Sequence, residues 1–123
     1  MGKALEIRWL AEPDKQDYPE AESYLNLLYD RPTTAKILKK LRGARVLRFK
    51  AKDVFRASGL SLLGISNAHV ERDQRKIRQG KKLSPLLLVR DAAHGKVVIA
   101  DGYHRLCAVY SFDEDAEIPC RIV

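Results

Sequence analysis

The sequence is poor in the features that mark a secreted, disulfide-stapled or membrane-embedded chain. Its two cysteines, Cys107 and Cys120, are too few for a disulfide framework. Cys107 falls on a helical apolar stripe and Cys120 in an apolar C-terminal run, so both are expected as buried free thiols. No apolar run approaches the roughly 20 residues a membrane-spanning helix needs. The opening stretch M-G-K-A-L-E-I-R-W-L has no signal-peptide core. A cytoplasmic protein without membrane contact is the expectation. Repeats, low-complexity tracts and inter-domain linkers are missing too. The 123 residues, 46% of them apolar, therefore predict one domain over 1–123 with a real core. His69, His94 and His104 have no ligand spacing, and no metal site is predicted from them.

Charge is plentiful and unevenly placed. Residues 1–30 hold three Lys/Arg against seven Asp/Glu, and residues 31–90 hold seventeen against three. Residues 91–123 return to three against six. A basic middle between acidic ends points to an anionic partner at one surface, or to solvated helix faces. Aromatic residues are sparse in that middle, with Phe49 and Phe55 only, which disfavours stacking on single-stranded nucleic acid.

Along the chain, Leu5, Ile7 and Trp9 alternate and predict a short strand. A helix is predicted from Tyr18, with Pro19 at its first position and Glu20 and Glu22 at the positive end of its dipole. A second, capped by Thr33 or Thr34, runs to about Leu41 and stops at Gly43. These two form a hairpin, packed on the domain or serving as an interaction arm over residues 18–42. Arg45 to Phe49 reads as a half-exposed strand, followed by a short helical turn at Val54–Ala57. The apolar loop from Leu60 to Ile65 either packs down as core or covers a ligand. Ser66 and Asn67 cap a basic helix ending near Gln79, on which Arg72, Arg75 and Lys76 share one side. Glu71 is placed to pair with Arg75. Pro85 to Val89 and Val97 to Ala100 read as two-sided buried strands joined in a hairpin. Ile118 to Val123 is the last strand, and Pro119 suggests an edge position for it.

The stretch K-V-V-I-A-D-G-Y-H-R-L-C-A-V-Y-S-F, residues 96–112, carries the chemistry. Asp101-Gly102 breaks the strand, and a helix opens at Tyr103, with Tyr103, Leu106, Cys107 and Tyr110 in one apolar stripe. The unpaired N–H groups and positive dipole of that helix start make an anion site. Gly102 would let a phosphate approach the backbone, and His104 and Arg105 would add side-chain donors. The alternative is structural: Asp101 caps the helix, Gly102 serves the turn, and His104 and Arg105 are solvated.

The element order from Arg45 onward, with A-D-G-Y-H-R-L-C-A after a buried strand, S-P-L-L-L-V before it and I-P-C-R-I-V after it, resembles the ParB/sulfiredoxin superfamily over about residues 45–123. Residues 1–43 fall outside the resemblance, as an N-terminal helical extension. The resemblance implies an α+β fold: a small mixed sheet with helices packed on it, plus the N-terminal helical hairpin. It implies phosphate contact at the turn, through Gly102, Tyr103, His104 and Arg105. It also implies a nucleotide-facing preceding helix, through His69, Arg72, Arg75 and Lys76. Tyr103 stands where sulfiredoxins carry their catalytic Cys, which argues against sulfinic-acid reduction. The turn is G-Y-H-R rather than the G-E-R-R of ParB partition proteins, and no helix-turn-helix reader follows in the sequence. The D-G-x-H-R form is closer to members labelled ParB-like nucleases and to a free-serine kinase branch.

Three functions follow as expectations. One is nucleotide binding, of ATP or CTP with Mg²⁺, extending to hydrolysis or phosphotransfer with Asp101 and His104 as catalytic groups. The second is nucleic-acid binding or nuclease action. The third is a non-catalytic regulator that docks a protein partner through residues 18–42.

Overall fold

The β-branched run Val97 to Ala100 forms the centre of β3 (Lys96–Asp101) in a computed structural model that describes residues 6–64 and 67–123. Leu5 of the expected first strand, Ile65 of the apolar loop and the expected cap Ser66 lie outside the described residues. The chain order is α1 (Asp17–Leu28), α2 (Arg31–Gly43), β1 (Val46–Lys50), α3 (Ala51–Ser58), α4 (Ala68–Arg78), β2 (Leu86–Asp91), β3, α5 (Tyr103–Phe112) and β4 (Glu117–Ile122). A single 3₁₀ turn, Ala92–His94, joins β2 to β3. Among the described residues this is an α+β arrangement of five α-helices and one four-stranded mixed sheet, and no helix is long and apolar enough to cross a membrane.

The strands lie in the order β1-β4-β2-β3. The pair β2 and β4 is parallel and the other two pairs are antiparallel. The last strand is therefore internal, not at an edge as Pro119 suggested. Its pairing with β2 begins only at Cys120, so the N–H that Pro119 lacks is not needed by that ladder. The edges are β1 and β3, and both faces of β3 are covered. Opposite β3, Leu87 faces Asp101 while Leu88 faces Ile99, so Ala100 is one residue extra. Such a bulge re-aims the side chains beside it, here Asp101.

Helices cover both faces of the sheet. Tyr18, Ala21 and Leu25 of α1 and Leu38 and Leu41 of α2 bury themselves against Leu87, Val89 and Ala100. On the other face Val54, Val70, Ile77, Leu106 and Val109 pack with Leu86, Leu88, Ile99, Ile118 and Cys120. Each fully buried leucine contributes about 1.5–3 kcal/mol of transfer free energy. Cys107 and Cys120 are buried free thiols, and burial pushes Cys120 up to about 12.

Several local expectations shift by a turn. The first residue of α1 is Asp17, so Pro19 sits third rather than first. The cap of α2 is Asp30, whose Oδ1 accepts from Thr33 N at 2.8 Å, and neither Thr33 nor Thr34 caps it. The turn at Val54–Ala57 is an eight-residue helix. The buried face of α5 is wider than its stripe, because Ala108 and Val109 are buried as well. Among the described residues of the loop after α3, Leu63 packs on the core while Leu60 and Leu62 are exposed. Trp9 makes a single bridge to Leu83 where a short strand was expected.

Candidate functional site

The bulge at Ala100 and the turn at Gly102 deliver Asp101, His104 and Arg105 to one cavity of about 550 Å³. Gly102 adopts φ 109°, a left-handed conformation that side chains avoid. A Cβ there would stand 2.7 Å from Leu86 Cγ and 2.9 Å from an Arg105 guanidinium nitrogen. The glycine is thus required by the close packing of the turn on β2 and Arg105. It also occupies the N-cap position of α5, where no side chain caps the helix. Asp101 is not that cap. By contrast, the first-turn donors of α4 are taken by Asn67 Oδ1, at 3.0 Å from His69 N and 3.2 Å from Val70 N. Two helix starts without a side-chain cap line the cavity, those of α1 and α5; the first turn of α1 carries Asp17 and Glu20, so it is the α5 start whose dipole is open to an anion.

Arg105 is not a free cation. Its Nη2 lies 2.9 Å from Asp101 Oδ2 and 3.5 Å from Asp17 Oδ2, and all three side chains are largely buried. Asp17 also accepts a hydrogen bond from Ser84 Oγ, which itself accepts from Asp14 N at 2.9 Å. Burial holds the Asp101 carboxyl above the usual carboxylate range, against the lowering effect of the Arg105 guanidinium. The nearby Asp17 and Glu20 charges push in the same upward direction.

The opposite wall is cationic. α4 brings His69, Arg72 and Lys76 to the cavity, and Lys82 adds a fourth group. The His69 and His104 rings face each other at 4.8 Å between centroids. Burial, followed by the like charge of His69, Arg72 and Arg105, pulls His104 below its ordinary value, while Asp73 opposes the shift. The shift favours the neutral imidazole, which can accept a proton.

Seven of the nine expected site residues line this cavity: His69, Arg72, Lys76, Asp101, Gly102, His104 and Arg105. Two do not. Arg75 turns away and pairs with Glu71 at 3.3 Å, as an exposed i,i+4 contact. Tyr103 points to the loop after α3, where its hydroxyl donates to Ser61 O. His94 is exposed beside Asp91. Among the lining residues that sequence reasoning missed are Asp14, Asp17, Glu20, Lys82 and Ser84. Asp17 and Glu20 carry only a helix-start signal in the sequence, and it is the docking of α1 on β3 that turns them inward. The α1–α2 hairpin is packed on the sheet, tied down by Arg121 Nη1, which donates to Tyr18 Oη at 2.8 Å and Arg42 O at 2.9 Å.

Among the described residues, no group of three or more His, Cys, Asp or Glu side chains is arranged to hold a metal ion unaided. Comparison with family models, with curated proteins and with solved structures finds no match.

Proposed function

We propose that the cavity binds the phosphate groups of a nucleotide, and that the chain is a ParB/sulfiredoxin-like domain. The observation that carries the reading is the start of α5, uncapped by any side chain, opening between His104 and the α4 cations Arg72 and Lys76. Phosphate oxygens would take the α5 N–H groups and His104, with Arg72, Lys76 and His69 supplying charge. Arg105 acts differently from the expectation. Held by Asp101 and Asp17, it orders the turn rather than reaching for the ligand.

Mg²⁺ fits this arrangement as a shared ion. It keeps several waters and takes one or two carboxylates together with substrate phosphates. Glu20 and Asp14 line the wall opposite the cations and would supply the carboxylates. The ion would neutralise phosphate charge. ATP or CTP with Mg²⁺ is the ligand class, and hydrolysis or phosphotransfer is the reaction class. In either, neutral His104 takes the proton of the attacking hydroxyl or water. Asp101, already bonded to Arg105, is the weaker candidate base.

The test is a thermal-shift panel of nucleotides with and without Mg²⁺, because bound ligand stabilises by mass action. A nucleotide should raise the melting temperature of the parent and fail to do so in His104→Ala and in Arg72→Ala/Lys76→Ala. Unchanged binding by both variants would overturn the assignment.

A second reading rests on a different surface. Lys36, Lys39, Lys40, Arg45, Arg48 and Lys50 make no ion pair among the described residues. They support nucleic-acid binding on α2 and β1, away from the cavity. Salt-sensitive binding weakened by Lys36→Glu/Lys40→Glu would support that reading. No binding at low salt would exclude it.

A further inference from the structure

The sheet has two edges, and they are built oppositely. β1 carries exposed Arg48 and Lys50, with Arg45 just before it. Cations on an edge are a common guard against pairing with another strand. β3 has no such guard: between Lys96 and Asp101 it reads Val-Val-Ile-Ala. Its only strand partner among the described residues is β2, so one row of its backbone N–H and C=O groups faces outward.

The flanks of this open edge are apolar as well. Tyr24 and Leu28 of α1 on one face and Leu60 on the other join Val97, Val98 and Ile99 around a groove of about 430 Å³. Of the six large apolar side chains exposed among the described residues, five lie on α1 or just after α3: Tyr24, Leu27, Leu28, Leu60 and Leu62. The sixth, Leu47, is on β1. Apolar exposure concentrated along an unpaired edge marks an interaction surface.

We infer that β3 pairs antiparallel with β3 of a second copy, giving a two-fold dimer with a continuous sheet. The occupant is argued from the strand itself. Because Ala100 is an extra residue, Lys96 and Asp101 each stand two ladder positions from Val98, so a two-fold axis at Val98 sets Lys96 opposite Asp101 at both ends of the new ladder and leaves only the apolar pairs Val97–Ile99 and Val98–Val98 between them. Lys96 stands across from Asp91 and Asp101 across from Leu87, two positions of one β2 face, so the opposed charges share a face of the sheet. Arg105 holds only Oδ2 of Asp101, which leaves Oδ1 for the partner. The same operation at β1 would bring cations onto cations. An isologous contact of this kind needs a self-complementary patch, and β3 supplies one.

Light scattering or sedimentation across roughly 1–200 µM tests the inference. The expected result is a dimer, with the β3 amides gaining hydrogen-exchange protection as concentration rises. Tyr24→Glu/Leu28→Glu places charge at exposed positions and should weaken association about 100-fold or more, with the helical spectrum unchanged. Leu47→Glu, at the other edge, should leave the dimer intact. A monomer throughout the range would overturn the inference and leave the groove to an extended segment of some other protein. So would a dimer that Leu47→Glu disrupts and Tyr24→Glu/Leu28→Glu does not. Neither result bears on the nucleotide cavity.

Discussion

Replacing Arg105 by alanine separates a structural arginine from a ligand-binding one. The guanidinium lies 2.9 Å from Asp101 Oδ2 and 3.5 Å from Asp17 Oδ2, and the side-chain exposures of the three groups are 17%, 18% and 12%. Removing one partner of a buried pair leaves uncompensated charge and costs about 3–5 kcal/mol. The residual exposure of all three groups brings the expectation to about 2–3 kcal/mol. For a domain of this size that lowers the melting temperature by about 6–15 °C.

The loss should also depend on pH, with a definite sign. Asp101 already holds its proton more tightly when folded than when unfolded, because burial outweighs the attraction of Arg105. A carboxyl raised in this way favours the folded state below its unfolded pKa of 3.8 and loses that contribution as pH rises through the folded value. Without Arg105 the folded value rises further. The penalty of Arg105→Ala should therefore be larger at pH 7.5 than at pH 5, because falling pH favours the protonated form of Asp101, which does not need a cation. Urea denaturation of both proteins at the two pH values reads this directly. The Asp101→Asn background should recover about 1–3 kcal/mol of the loss as a coupling energy. A penalty below about 0.5 kcal/mol, typical of surface substitutions, would refute the reasoning, as would one that is the same at both pH values.

Other changes read other parts of the cavity. An anion bound beside His104 should raise its depressed pKa, so binding should be linked to proton uptake and strengthen as pH falls from 8 to 6; calorimetry in buffers of different ionisation enthalpy would show the uptake, and binding without any uptake would count against an anion beside His104. Gly102→Ala forces a Cβ to within 2.7 Å of Leu86 at positive φ and should cost about 1–3 kcal/mol in urea denaturation, with ligand affinity falling as the turn shifts. Asp30→Ala removes the α2 cap and should cost about 0.5–2 kcal/mol in the same measurement while leaving nucleotide binding unchanged.

What the sequence made legible was local, and what it hid was set by distance along the chain. The run Val97–Ala100, the break at Asp101-Gly102 and the helix start at Tyr103 all follow from neighbouring residues, and all three occur as expected. The basic side of α4 was legible too. Its contents were not: Arg75 lies next to Lys76 in sequence, yet one points to Glu71 and the other into the cavity. The internal place of β4 was not legible, because Pro119 signals a missing donor without saying which neighbour would have used it. The contribution of α1 had no local signal at all. Asp17 looks like any acidic residue at a helix start until Ser84 and Arg105, far along the chain, close on it.

The two walls of the cavity are the two charge blocks of the sequence brought face to face. The acidic opening block supplies Asp14, Asp17 and Glu20, and the basic middle supplies Arg72, Lys76 and Lys82. A polyphosphate on its own would be drawn to one wall and repelled by the other. A polyphosphate carrying a divalent cation would meet both walls favourably, with the carboxylates of α1 available to the ion and the cations of α4 to the phosphate oxygens. Magnesium should therefore do more here than it would at a purely cationic site, where neutralising the phosphates weakens their attraction. The sign of that dependence separates the two designs: at a purely cationic site added Mg²⁺ lowers nucleotide affinity, whereas here it should raise it. Glu20→Gln, which weakens the acidic wall without touching the Arg105 pairs, should shrink the Mg²⁺ effect and leave affinity in the absence of Mg²⁺ equal or higher. If Mg²⁺ weakens binding to the parent, the acidic wall serves only to hold Arg105 and α1 in place.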